Sequence, residues 1–466
     1  MDTQPFRPGI TLRSPHRRES SVPSCHRQFA AACIALMNLG SPPASALEGD
    51  VDPSFGQYGQ VAIAHPEPDP GNGVMPTGDL ARLEDGRHLW AAALPDRSTW
   101  IGRALRDGSP DVAFGTSEGR VTLPACGSTP RNVRLVANVD AGAIVWTCGR
   151  LVRIHANGSV DPAFGIGQLP RETLDTADLV RDAKGRFVVA GMDGTIWTVL
   201  RFDAQGHPDA GFGTAGVAEI EIPAMFGLRE LNALAVRPDG RVLIGGARGN
   251  SNGPNLVLVQ LDPSGVLDPG WDGDGRVDME ASPPFQGLVA TAMVLDEDGT
   301  LVVAGTGSNG SQDCCELLAR FDAAGQLVPS FGLRVFRLPG SPVVHPFFEQ
   351  RDSVEVLDDD RILVGSIAFP FESNHRTQYT LIRTLADGSL DPSFGTGGWR
   401  GYAIEDPAGI GQEGDYNQMH ATAWSPRHND VLILGRTFFE DQANDYDYVT
   451  FVRVLLDRLF ASGFDR

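Results

Sequence analysis

The sequence predicts an all-β fold, a seven-bladed β-propeller of four-stranded blades closed by pairing of an N-terminal strand with the C-terminal blade. Three observations carry that reading. A short corner segment recurs seven times, an arginine stands at one fixed distance before almost every copy, and each interval holds a tight hairpin signature. Helical periodicity is absent after residue 50.

The corners begin with Asp52-Pro53-Ser54-Phe55-Gly56 and Asp111-Val112-Ala113-Phe114-Gly115. The other five centre on Phe164, Phe212, Trp271, Phe331 and Phe394, and a weaker eighth copy closes the chain at Gly463-Phe464-Asp465. Successive aromatic residues stand 59, 50, 48, 59, 60 and 63 positions apart, a period that belongs to propellers, solenoids or arrays. Eight markers bound seven units.

Within each unit the elements follow in order. Two short apolar strands flank a polar turn, as in Leu234-Ala235-Val236 and Val242-Leu243-Ile244 around Asp239-Gly240. A third strand carries Arg103, Arg153, Arg201, Gln260, Arg320, Arg383 or Arg453, always eleven residues before the aromatic. Such constancy tolerates no insertion, so the connection is a rigid corner. The aromatic is expected as a plug between units, and the preceding Asp as an Asx-turn residue or a partner for the Arg. A fourth short strand follows, such as Val217 to Ile222. Trp271 and Val328 depart from the pattern, which is expected to weaken those two corners locally. The first marker precedes a lone strand, Gln60 to Ala64, while the last unit stops after its third strand, Tyr448 to Leu455. Pairing those two completes the seventh blade and leaves only short sheet edges.

The 466 residues are 41% apolar, enough for a large core. A formal charge of -21, with Lys184 the sole lysine, argues against nucleic acid or an anionic membrane as partner. Residues 1–46 read as a secretory signal peptide. Arg7, Arg13, Arg17, Arg18 and Arg27 precede an apolar run from Phe29 to Leu39, and Ala44-Ser45-Ala46 is the cleavage site. Residues 47–466 are then one propeller domain. No later segment approaches the roughly 18 apolar residues of a membrane span, so a soluble periplasmic or extracellular monomer is expected, without membrane insertion.

Cysteine use agrees with export. Cys126 and Cys148 fall on segments read as neighbouring strands, which suits a disulfide in an oxidising compartment. Cys314 and Cys315 are adjacent, and either a strained vicinal bridge or two thiols free or separately paired fits them.

The stretch Leu385-Ala386-Asp387-Gly388-Ser389-Leu390-Asp391-Pro392-Ser393-Phe394-Gly395-Thr396-Gly397-Gly398 resembles the delta-60 repeat family, and the likeness extends over nearly the whole chain after the signal. The resemblance implies an exported bacterial propeller-like protein and brings no catalytic residues.

Function is expected on the face opposite the corners, where connections vary in length. Its loops are read as Ala247 to Asn255, Gly305 to Glu316, Phe369 to Thr377 and Arg436 to Tyr448. The last, with Tyr402 to His420, gathers Glu405, Asp406, Asp415, Asp441, Asp445 and Asp447 beside Tyr416 and Tyr446. Oxygen-rich loops suit Ca²⁺, and aromatics beside carboxylates suit a sugar. A solvated acidic rim explains the same residues. Asp272-Gly273-Asp274-Gly275 fails as a calcium loop because Arg276 and Val277 stand where the EF-hand pattern needs an oxygen ligand and Gly. No zinc-binding helix or phosphate loop occurs, and no catalytic residue, no metal site and no resident cofactor other than Ca²⁺ is expected. The reading is a secreted binding module for a glycan or a protein. Its rivals are an extracytoplasmic carbohydrate-active hydrolase or lyase and a quinone-dependent redox enzyme, the latter suggested only by Cys314-Cys315. A polar cluster converging on the central channel from three or more blades is the feature expected of an enzyme.

Overall fold

The computed structural model describes residues 48–64, 78–94, 96–127, 132–168, 171–223, 229–249, 253–308, 313–337, 353–368, 377–404, 416–440 and 445–456. Short apolar runs separated by turn residues form 27 strands in seven antiparallel sheets, the blades. Blade 1 holds β2 (Gly78–Arg82), β3 (His88–Ala93), β4 (Thr99–Ala104) and β5 (Arg120–Leu123). Blade 2 holds β6 (Arg134–Ala137), β7 (Ala143–Thr147) and β8 (Arg150–Ile154). Blade 3 holds β9 (Asp175–Arg181), β10 (Phe187–Asp193), β11 (Ile196–Phe202) and β12 (Val217–Ile220). Blade 4 holds β13 (Arg229–Val236), β14 (Val242–Gly249), β15 (Pro254–Leu261) and β16 (Arg276–Met279). Blade 5 holds β17 (Gly287–Leu295), β18 (Leu301–Ser308), β19 (Asp313–Phe321) and β20 (Leu333–Phe336). Blade 6 holds β21 (Ser353–Val356), β22 (Ile362–Ala368), β23 (Gln378–Thr384) and β24 (Trp399–Tyr402). Blade 7 holds β25 (Tyr416–Ser425), β26 (Asp430–Glu440) and β27 (Asp445–Leu455), with β1 (Gln60–Ala64) as its outer strand.

The first strand of each blade touches the first strands on both sides, so β2, β6, β9, β13, β17, β21 and β25 surround the axis. The ring closes as the sequence predicts. β1 pairs with β27 from Gln60↔Val452 to Ala64↔Tyr448. Gly49 N donates to Leu455 O at 2.7 Å just outside that ladder.

The core consists of seven apolar layers, one in each gap between neighbouring blades. Their corners are built alike. The Asp391 carboxylate uses Oδ1 to accept from Ser393 N at 2.9 Å, an Asx turn, and Oδ2 to accept from Arg383 Nε at 2.8 Å. The two roles expected of the Asp are held together by one carboxylate. Arg383 also lies over the Phe394 ring, 4.7 Å from its centroid, and donates to Leu456 O of the next blade. Asp52 with Arg453, Asp111 with Arg103 and Asp209 with Arg201 repeat the arrangement. Six of the seven aromatics lie against a turn glycine of the neighbouring unit. A Cβ on Gly388 would meet Phe331 at 2.7 Å, and φ there is +79°, open to glycine.

Four expectations are corrected. The corners at Trp271 and Val328 are intact. Trp271 is fully buried, Gln260 bridges Asp268 to Arg237, and Arg320 turns to Asp296 in place of the missing Asp. Blade 2 has three strands among the described residues, because Gln168 supplies by side chain what a fourth strand would supply by backbone. Its Oε1 accepts from Leu151 N at 2.8 Å and its Nε2 donates to Leu151 O at 3.3 Å. Cys126 and Cys148 are disulfide-bonded but not on neighbouring strands. Cys126 follows β5 and Cys148 lies in the β7–β8 turn, so the bond ties blade 1 to blade 2. Three of the four long loops are mostly strand, since the β14–β15, β18–β19 and β26–β27 ladders continue to Gly249↔Pro254, Ser308↔Asp313 and Glu440↔Asp445.

Candidate functional site

Along the axis the seven first strands enclose a cavity of ≈ 180 Å³. Asp79, Arg134, Asp178, Asn232, Thr291, Ser353 and His420 line it, one from each blade. Small apolar residues, among them Ala177, Ala292 and Ala421, fill the wall between them.

Local backbone geometry puts these groups there. Pairing of β13 with β14 jumps from Leu231↔Gly246 to Ala233↔Gly245, leaving Asn232 as a bulged residue. The same shift leaves Thr291 bulged in β17, His420 in β25 and Ala177 in β9. A bulge re-aims its side chain and is frequent beside functional sites. It also drives a carbonyl into the neighbouring strand, where only glycine leaves room. A Cβ on Gly246 would lie 1.9 Å from Glu230 O, and one on Gly305 would lie 1.9 Å from Val289 O.

Neighbouring first strands are not hydrogen-bonded as a ladder, and side chains bridge the gaps. Asp79 Oδ2 accepts from Leu135 N at 2.7 Å, and Arg134 Nε donates to Ala177 O at 2.8 Å. Asn232 Nδ2 donates to Ala290 O at 3.1 Å, and the Ser353 and Thr422 hydroxyls lie 2.6 Å apart. One guanidinium nitrogen is left over. Arg134 is 4% exposed, its Nη1 donates to Val133 O, and its Nη2 has no hydrogen-bond partner among the described residues.

Desolvation pushes Asp79 up to about 6, with the neighbouring Asp178 charge adding to the rise and Arg134 opposing it. The side chain is only partly shielded from the cavity, yet protein surrounds it, and that enclosure governs its hydration. One layer further along the axis, Glu355 is pushed to about 7 by desolvation, against a hydrogen bond from Trp424 N at 3.0 Å and the charge of Arg82. Arg82 is itself fixed by Asp430 at 2.6 Å.

The residues predicted for the rim are not those found lining this cavity among the described residues. Glu405, Asp406, Asp415 and Asp441 lie outside the described residues. Tyr416, Asp445, Tyr446 and Asp447 belong to the blade 7 ladder, which sets Tyr416 opposite Phe438 and Phe438 opposite Asp447, with Tyr446 opposite Phe439 in the next row. Cys315 is buried in β19, and the side chain of Cys314 lies outside the described set. Sequence reasoning missed the axial set because its members come singly from seven separate strands and no linear motif joins them. A signal was present in the glycine of the four second strands that face a bulge, Gly191, Gly246, Gly305 and Gly435, five to seven residues after the hairpin turn.

Comparison with known proteins places the chain among propeller-repeat proteins. The model of a family described as "Domain of unknown function (DUF5122) beta-propeller" matches residues 143–164, 237–270 and 357–394, each stretch running from the hairpin region to the corner. No curated protein matches the chain. Among solved structures, a catalytically inactive virginiamycin B lyase from Staphylococcus aureus is 11% identical at a TM-score of 0.45, over 84% of this chain and 98% of that one. A protein from Lactobacillus plantarum is 16% identical at 0.43, over 71% and 88%. A gluconolactonase from Xanthomonas campestris is 15% identical at 0.35, over 84% and 99%. At these values the likenesses carry no functional argument.

Proposed function

We propose that the chain is an exported propeller that binds a small polar solute in its axial cavity. The observation that carries this reading is the convergence of one side chain from each of seven blades, three of them on bulges, around a space of ≈ 180 Å³. That volume equals about six waters in the liquid. A polar cluster from three or more blades is the feature expected of an enzyme, but binding is favoured here because Asp79, Arg134, Asn232 and Ser353 already bridge blades, and a group tied to the frame recognises a ligand better than it shuttles protons. In this reading the acidic and aromatic residues Glu405, Asp406, Asp415, Tyr416, Asp441, Asp445, Tyr446 and Asp447 are a second candidate place for Ca²⁺ or a glycan. The Cys126–Cys148 disulfide supports action outside the cytoplasm after removal of residues 1–46. Sequencing the N-terminus of the exported protein checks this, with Leu47 expected as the first residue.

The binding test is a thermal-shift panel of amino acids, organic acids, sugars, polyols, oligosaccharides and Ca²⁺. A shift lost in Ala292→Phe and kept in Asp445→Ala/Asp447→Ala is expected. The reverse pattern moves recognition to the rim, and no cavity-dependent shift with any solute overturns the axial reading.

A further inference from the structure

The axial cavity is chemically lopsided. Its charged groups come from three consecutive blades, as Asp79, Arg134 and Asp178, whereas Asn232, Thr291, Ser353 and His420 fill the remaining circuit. Asp79 feels both the Arg134 cation and the Asp178 anion, so the three form one electrostatic unit. Within it the guanidinium is underused. Nε and Nη1 are spent on the Ala177 and Val133 carbonyls, while Nη2 of this side chain, 4% exposed and among those lining the cavity, has no hydrogen-bond partner among the described residues. A buried guanidinium donor without an acceptor is costly, and a ligand carboxylate is the acceptor that matches it best. The carboxylates on either side repel a simple anion. A ligand that presents an ammonium beside its carboxylate satisfies both signs at once. No Trp, Tyr or Phe lines the cavity among the described residues, so the broad stacking surface that a sugar ring prefers is missing there.

Resting on the axial reading above, we infer that the cavity takes a small zwitterion of the α-amino acid class, its carboxylate on the Arg134 guanidinium and its ammonium on the flanking carboxylates, Asp79 and Asp178. Asn232, Thr291 and Ser353 then meet the side chain of the ligand, which favours short polar substituents within ≈ 180 Å³.

Isothermal titration calorimetry of the chain from Leu47 onward tests this with L-serine, L-alanine, glycinamide, N-acetylglycine and glucose. L-serine and L-alanine are expected to bind at least tenfold more tightly than glycinamide, which lacks the carboxylate, and N-acetylglycine, which lacks the ammonium. Arg134→Gln is expected to weaken L-serine at least tenfold and Asp178→Asn to do the same. Since Arg134 also bridges blades, the Asp178→Asn variant keeps the test valid if Arg134→Gln does not fold. Equal affinity for L-serine and glycinamide overturns the inference, as does binding of L-serine unchanged in both variants. Glucose or N-acetylglycine binding that is lost in Ala292→Phe, with no L-serine binding, overturns the zwitterion and keeps the axial cavity as the site. Absence of any probe sensitive to Ala292→Phe overturns both.

Discussion

At the scale of single residues, the fold is governed by one carboxylate, one guanidinium and one ring repeated around a circle. Asp391 closes its own turn and holds Arg383, which covers Phe394 and reaches the next blade at Leu456. Such sharing explains why eleven residues never become ten or twelve. Inserting one residue would move the Arg to the other face of its strand, because side chains alternate with a period of two. The ring is the larger energetic element. Phe394 is fully buried, and Phe394→Ala is expected to cost about 3–5 kcal/mol in denaturant unfolding. Gly388→Ala should also destabilise, since its Cβ would press on the Phe331 ring from a φ of +79°. A loss below about 0.5 kcal/mol in either variant would show that the corner is decoration and not frame.

At the scale of strands, what could be read beforehand and what could not divide along a physical line. Corner spacing and hairpins are local or periodic and so leave a trace in a linear chain, and the long-range β1–β27 closure follows from the lone first strand and the three-stranded last unit. Loop lengths were overestimated because polar residues in Arg436 to Tyr448 look like a loop, yet the β26–β27 ladder continues to Glu440↔Asp445. The axial site depends on seven strands from residue 79 to residue 420 meeting at one axis, and no spacing rule joins Asp79 to His420. Bulges hide it further, since an extra residue shifts Asn232 and Thr291 out of the alternating pattern. The glycines opposite them are the legible sign. Gly305→Ala is expected to force the Val289 carbonyl away, cost about 2 kcal/mol or more, and displace Thr291 from the cavity. A thermal melt reads the first effect and ligand titration the second. An alanine variant with unchanged melting and binding would mean that the bulge needs no glycine.

At the scale of the whole ring, charges near the axis set how stability responds to pH. Burial holds Glu355 at about 7 against an ordinary value of 4.5, so the folded state keeps a proton that the unfolded chain releases. Its contribution to stability is therefore fully present below the unfolded value and is lost as pH rises through the folded one. Asp79, at about 6, acts in the same direction. His88 acts the other way, because burial beside Arg82 and Arg453 lowers it to about 3 and makes protonation unfavourable in the fold as pH falls below 6.5. The opposing trends overlap between pH 4.5 and 6.5, so the unmodified protein is a poor reporter of either. Glu355→Gln separates them. The amide still accepts from Trp424 N and leaves Arg82 on Asp430, but it does not titrate. Relative to the parent, this variant should gain on the order of 2 kcal/mol between pH 5 and pH 8, with most of the change below pH 7. A difference that stays flat over that range would mean that Glu355 is ionised in the fold and that Arg82, not burial, decides its charge.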